Sequence, residues 1–384
     1  INKKDAEQYT LSKQKTRGLI LILGFLSALG PFSIDMYLPS FPSIAKDFNT
    51  DISQVGLSLT SYFVGISLGQ IIYGPILDKF GRKKPLLIGL AIYLISAIGC
   101  ALSPSLNFLI GMRFISALGG CVGMVAGRAI VRDLFPASEI PHVFSLLMLV
   151  MGIAPIIAPT TGGLIIYFLD WRYIFFLLAV ITTVMITCVS LFLPESKTPD
   201  HTISLKIKNI FKEYFSILKD KTFRNYSLAG SLAMSGMFAY IAGSPLVYIK
   251  LFGLSEQTYA IFFGLNAMSF IIGSQLNRFA LNRIETKNVI LLANLFQLSG
   301  TTLLLLGALS GFIGMTGTII LILNHMFWLG FFNPNVSAFA LIPFKKNAGS
   351  ASALSGSIQM IFSALITGLV SYFQNGTSIQ MISV

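Results

Sequence analysis

Apolar runs long enough to cross a bilayer recur along the chain, at 18–37, 56–77, 85–102, 108–131, 143–169, 173–193, 228–249, 259–275, 289–312, 318–341 and 351–373. About twenty such residues span the hydrocarbon core as a helix. A helix satisfies its own backbone in lipid, which an open strand does not. The eleven runs therefore predict eleven membrane helices, and a twelfth is expected to start near Ile379 and to be cut short at Val384. One connection, 194–222, is long and polar. Within it Ile207, Ile210, Phe211, Tyr214, Phe215 and Leu218 recur at helical spacing. That predicts a short amphipathic helix on the membrane surface, with a plain linker as the simpler alternative. The expected fold class is an all-α polytopic membrane protein. Residues 1–193 form a six-helix bundle, 194–223 a linker, and 224–384 a second bundle holding helices seven to eleven and the start of the twelfth.

Composition agrees with this pattern. The chain is 54% hydrophobic and 11% charged, far below the roughly 25% charge of soluble domains. The net charge of +12 invites a nucleic-acid reading, and the placement of the charges removes it. When the connections are assigned alternately to two faces, 23 of the 27 lysines and arginines fall on the face that holds the N-terminus. The opposite face receives Lys46, Arg172 and Lys250, and Arg113 lies inside a run. Basic residues stay on the cytoplasmic side, so the N-terminus and the central loop are expected there. The first seventeen residues are polar and basic and lead into a full-length run, unlike a cleavable signal peptide. Cys100, Cys121 and Cys188 lie in apolar runs and read as small buried hydrophobes. His142, His201 and His325 show no metal-ligand spacing.

Two internal matches suggest parallel repeats. GPILDKF at 74–80 aligns with GSQLNRF at 273–279, and LFP at 134–136 with LIP at 341–343. Such repeats are a transporter architecture, with the site between the halves near the midplane.

The loop from Gly74 to Lys84 reads GPILDKFGRKK. It resembles the signature loop of the major facilitator superfamily, between the second and third of twelve helices. The run from Arg113 to Asp133 is similar to that family's fourth-helix motif. The stretch containing Pro155, Pro159, Gly162 and Gly163 resembles the fifth-helix motif of its antiporters. Asp35-Met-Tyr-Leu-Pro39, followed by Pro42, is similar to the multidrug/proton antiporter branch. With Arg128 to Phe135 it points to bicyclomycin/chloramphenicol-type resistance exporters. The resemblance covers the whole chain and implies the two-bundle major facilitator fold. It also implies a latch in which Asp78 faces the N-terminus of the eleventh helix, near 349–351, while Arg82 pairs with Asp133. These contacts are expected to hold an outward-open state.

Read physically, Gly74 permits close helix approach, Gly81 a tight turn, and the basic cluster an anchor on anionic lipid. Pro155 and Pro159 each remove a helix hydrogen bond, so the fifth helix is expected to bend. Gly162 and Gly163 give it a flat face, with the eighth helix as a candidate neighbour. A kinked membrane helix with no further role reads equally well.

Asp35 is the one acid well inside a run, where a carboxylate costs roughly 2.5–3.5 kcal/mol. It needs a partner, a proton or a wet cavity. Arg113 lies at a similar depth, within a turn or two of the same face, so an Asp35–Arg113 proton-coupling pair is geometrically open. The alternative is a structural brace within the first half. Burial and a nearby guanidinium act in opposite senses on a carboxyl, so opening and closing would switch its protonation. Tyr62, Tyr240, Asn266, His325 and Gln359 are candidate cavity residues. A lone histidine such as His325 is more often a packed one.

The leading expectation is a proton-coupled exporter of small amphipathic compounds, in a bacterial inner membrane, working as a monomer by alternating access. Its partners are a small-molecule substrate, protons and membrane lipid, with no nucleic acid. The proton gradient is the driving force, with no metal or cofactor. A metabolite or siderophore exporter on the same scaffold is the alternative. A membrane enzyme is disfavoured, because the runs hold no acidic pair, metal constellation or nucleophile with a base. A non-transporting sensor is disfavoured by the presence of Asp35, Arg113 and Asp78.

Overall fold

The computed structural model describes residues 13–136, 139–200, 207–344, 348–373 and 382. Thirteen helices account for most of them: α1 Lys13–Asp35, α2 Phe41–Asp47, α3 Ile52–Phe80, α4 Lys83–Ala101, α5 Leu106–Leu134, α6 Ile140–Phe168, α7 Arg172–Phe192, α8 Ile207–Lys219, α9 Lys221–Ser244, α10 Glu256–Ala280, α11 Thr286–Leu309, α12 Met315–Leu341 and α13 Ala348–Phe373. Eleven segments among the described residues are long and apolar enough to cross a membrane. The expected start of a twelfth helix near Ile379 lies outside the described residues.

The first span is longer than the apolar run suggests. Pro39 and Pro42 do not end it. The chain passes through a 3-10 turn, Leu38–Ser40, into α2, so one crossing runs from Thr16 to Asp47. Both prolines sit in the first turn of the element they open, where a missing N–H costs little. The seventh crossing is similar. It continues past α9 as a π-helical segment, Pro245–Leu251.

Packing repeats between the halves. α3 lies on α5, α4 on α5, and α1 on α6 in the first; α10 lies on α12, α11 on α12, and α9 on α13 in the second. Two seams join the halves, α3 against α13 and α6 against α10. The first seam is lined with small hydroxyl residues. Ser67 and Ser357 bond to each other's carbonyls and lie Oγ to Oγ at 3.0 Å, and Thr60 donates to Thr367 at 3.1 Å. Small polar residues let membrane helices approach closely and bond across the gap.

The face that carries the N-terminus is called the basic face below. There α8 buries Tyr214 and Ile217 against the bundle, while Phe211 and Phe215 stand 61% and 62% exposed. The Tyr214 hydroxyl donates to the Ile71 carbonyl of α3 at 3.4 Å. Asp220 caps α9 by accepting from the Phe223 N–H at 2.8 Å.

Candidate functional site

Arg113 lies seven residues into α5 and is 1% exposed. Its guanidinium carbon sits 4.1 Å from the Tyr62 ring centroid, 4.8 Å from Tyr37 and 5.8 Å from Phe175. Nε and Nη2 have no hydrogen-bond partner among the described residues. Three aromatic faces, drawn from α3, α7 and the first span just past α1, therefore hold this charge. A desolvated cation–π contact is worth about 2 kcal/mol or more.

Asp35 does not join this box. A helix turns about 100° per residue, so positions two apart face opposite ways. Ser33 bonds to the Tyr93 hydroxyl of α4, and Tyr37 bonds to Ser58 of α3 at 2.7 Å and covers Arg113. Asp35 lies midway between them and points away, toward the second half, within electrostatic reach of Tyr259 on α10. It is 5% exposed, with no ion pair or hydrogen bond to its carboxylate among the described residues. The expected Asp35–Arg113 pair is thus not formed, and Arg113 has the geometry of the brace. Nor is Asp35 at the helix mouth, because the span continues twelve residues beyond it to Asp47.

Glycines set the helix spacing around Asp35. A Cβ on Gly162 of α6 would overlap the Met36 carbonyl, with its carbon at 2.9 Å. Gly163 faces α10 instead, where a Cβ would meet the Glu256 carbonyl oxygen at 3.7 Å and Ala260 at 3.8 Å. The flat face expected of this pair is therefore shared between the first span and α10. α6 runs unbroken through Pro155 and Pro159. Beside it Ser43 donates to Glu256 at 3.3 Å, a contact between the halves on the side away from the basic face.

The basic face carries an ion network. Arg82 is 6% exposed and donates from Nε to Asp133 at 2.7 Å and from Nη1 to Asp78 at 3.0 Å. Burial opposes its charge, but the two carboxylates outweigh that and push its pKa up. Lys197 reaches Asp78 at 2.6 Å, and Ser196 donates to Asp133 at 3.1 Å. Glu195 accepts from the backbone N–H groups of Arg82 and Lys83, at 2.6 and 3.1 Å. Gly81 makes the turn at φ +83°, a conformation that favours glycine.

Two expectations are corrected here. Asp78 is held by Arg82 and Lys197 and makes no hydrogen bond to 349–351 among the described residues; Arg132 is the side chain that comes near Gly349. Gly74 is not a close-approach point, since a Cβ there would meet nothing within 4 Å. α3 approaches α5 at Gly65 and Gly69. The second half makes the reverse choice. Its Gly273, in the repeat of Gly74, lies against the Phe327 carbonyl, and Asn277, in the place of Asp78, pairs with Asn335 at 2.8 Å.

The remaining candidates scatter. Tyr62 belongs to the arginine box rather than to a cavity. Tyr240 accepts from Asn266 at 2.8 Å inside an aromatic cluster with Tyr248 and Phe263. Both ring nitrogens of His325 are buried without partners among the described residues, close to Gly236 of α9. Gln359 lines a small polar cleft of about 10 Å³, room for roughly one water, between α9, α12 and α13, with Tyr226, Ser227, Ser231, Asn333 and Ser355. Tyr37, Phe175, Tyr259, Glu195 and Lys197 were not foreseen. The local sequence Pro194-Glu-Ser-Lys197, directly after a span, was the available signal for the last two.

The profile of the Major Facilitator Superfamily matches residues 21–367. The chain belongs to this superfamily. It is 31% identical to a bicyclomycin resistance protein homolog of Haemophilus influenzae, over 97% of this chain and 94% of that one. It is 38% identical to YdgK of Bacillus subtilis, an MFS-type transporter, over 92% and 88%. The fold matches that of a bacterial homolog of the lysosomal transporter Spinster, inward-facing and occupied, with TM-score 0.75 at 16% identity, covering 94% of this chain and 83% of that one. The protein is a multi-pass membrane transporter of small molecules and not an enzyme.

Proposed function

We propose that this transporter exports small amphipathic compounds in exchange for protons, with the basic face cytoplasmic in a bacterial inner membrane. The observation that carries this reading is Asp35, buried next to the turn that packs on α6 and α10, with no basic partner among the described residues. A carboxylate in that position would be stranded, so the closed state carries the proton. Opening the seams on the far side brings water to Asp35 and exchanges it. Arg113 fixes Tyr37, and through it the rotation of the first span, so it positions Asp35 rather than carrying protons itself. The two bundles rock about the α3–α13 and α6–α10 seams, exposing one face at a time. The relative named for bicyclomycin resistance supports drug-like cargo.

The test uses proteoliposomes under an imposed pH gradient, screened with a panel of amphipathic compounds. Wild type should move substrate against its gradient, and Asp35→Asn should only equilibrate it. Gradient-driven accumulation by a correctly inserted Asp35→Asn protein would remove Asp35 from the coupling role.

A further inference from the structure

Two guanidinium groups on α5 have no task in the mechanism above. Arg128 and Arg132, one helical turn apart, are both exposed and make no ion pair or hydrogen bond among the described residues. The acids nearest them on this face are engaged elsewhere: Asp133 with Arg82 and Ser196, Asp78 with Arg82 and Lys197.

Their direction follows from their neighbours. Gly123 and Gly127 turn toward α1, where Cβ atoms would meet the Leu26 carbonyl at 2.7 Å and Ser27 at 3.4 Å. Cys121 turns toward α3, with its Sγ 3.5 Å from the Ile66 carbonyl. Arg128, two turns beyond Cys121 and one residue past Gly127, stands between these faces on the side nearer α3. Arg132 reaches the first turn of α13, with Nη1 3.8 Å from the place of a Gly349 Cβ. A helix N-terminus adds partial positive charge of its own. Arginines kept only as topology signals sit at the ends of spans, whereas Arg128 lies six residues inside the span Leu106–Leu134.

The second half presents the complement. Arg128 is six residues from the end of α5, roughly 9 Å at the helical rise. The polar cleft lies at comparable depth, since Ser227 is six residues into α9 and Asn333 eight from the end of α12. Its lining has hydroxyls and amides and no acid. Toward the basic face the first bundle thus offers charged donors, and the second neutral ones at a comparable depth. Paired guanidinium groups favour carboxylate, sulfonate or phosphate through charge-assisted bonds.

We propose that the end of α5 nearest the basic face is a reception site for amphipathic anions, recognised by Arg128 and Arg132. This names a substrate class for the export reading and rests on it for the site's purpose, although binding itself needs no gradient. The experiment is a fluorescence titration of the purified full chain in neutral detergent, with dansyl-undecanoate and its methyl ester as matched probes. Wild type should bind the acid about tenfold more tightly than the ester. Arg128→Gln should bring that ratio close to one without changing ester affinity, and Arg128→Lys should keep part of it. Should Arg128→Gln fail to fold, Arg132→Gln tests the same ratio. Asp35→Asn should leave the ratio intact, which separates this proposal from the coupling reading. Repeating the titration in phosphatidylcholine nanodiscs with and without phosphatidylglycerol identifies the source of the anion. Competition by the lipid marks a headgroup as an occupant, and its absence marks a free solute. Equal binding of acid and ester by wild type, or a ratio that survives both arginine substitutions, overturns the proposal.

Discussion

Substituting Gly162 by alanine tests how the fifth-helix glycines act. The added Cβ would lie 2.9 Å from the Met36 carbonyl carbon and nearer still to its oxygen, with ordinary contact starting at 3.4 Å. Helix α6 and the first span must separate by about 1 Å to admit it. Rigid backbone is what gives way, so the cost belongs with overpacked cores, about 1–3 kcal/mol. Met36 directly follows Asp35, so the displacement falls on the coupling acid. Gly163→Ala is the matched control, because its Cβ finds only ordinary contacts at 3.7 and 3.8 Å and gains up to about 1 kcal/mol of helix propensity. Thermal unfolding in detergent and gradient-driven uptake in proteoliposomes read out both effects. Gly162→Ala should melt several degrees lower and transport at least tenfold more slowly, while Gly163→Ala should match or exceed wild-type stability. Equal behaviour of the two variants would refute the close-approach argument and return the motif to a hinge.

Further outcomes follow from the same geometry. Arg113→Lys keeps the charge but loses the planar stack on Tyr37 and Tyr62, and should lower the melting temperature while the pH dependence of residual transport stays that of wild type. Glu195→Ala leaves two backbone N–H groups of the Gly81 turn unpaired and should cost about 1–2 kcal/mol in a denaturation series. Lys197→Ala removes a half-exposed pair and should cost less than about 1 kcal/mol in the same series. Ser67→Cys with Ser357→Cys joins positions whose hydroxyls lie 3.0 Å apart across the halves; oxidation should stop transport and reductant should restore it.

The spans were legible because bilayer thickness writes itself directly into the length of apolar runs, and the signature loop because its turn needs Gly81 at one place. Depth was legible as well, and it brought Asp35 level with Arg113. Rotation about the helix axis was not. It depends on which side of the first span Ser33 and Tyr37 face, and that is fixed by Tyr93, Ser58 and Arg113 on other helices. The partners of the loop were hidden for a related reason, since Glu195 and Lys197 reach it from 113 and 119 residues away. Gly74 misled because a glycine in a motif marks freedom to approach, and here its repeat partner Gly273 is the one that uses it.

The unlike ends of the two bundles have a mechanical meaning. At the basic face the first bundle is fastened by charges, several of them wet: the Asp78 and Lys197 side chains are 45% and 34% exposed. The second is fastened at the corresponding place by the buried amides of Asn277 and Asn335. Ions within a Debye length of about 8 Å weaken the first kind of fastening and ignore the second. Ionic strength and the acidity of the surrounding lipid therefore act as a handle on one side of the machine, loosening a single bundle while the other keeps its shape.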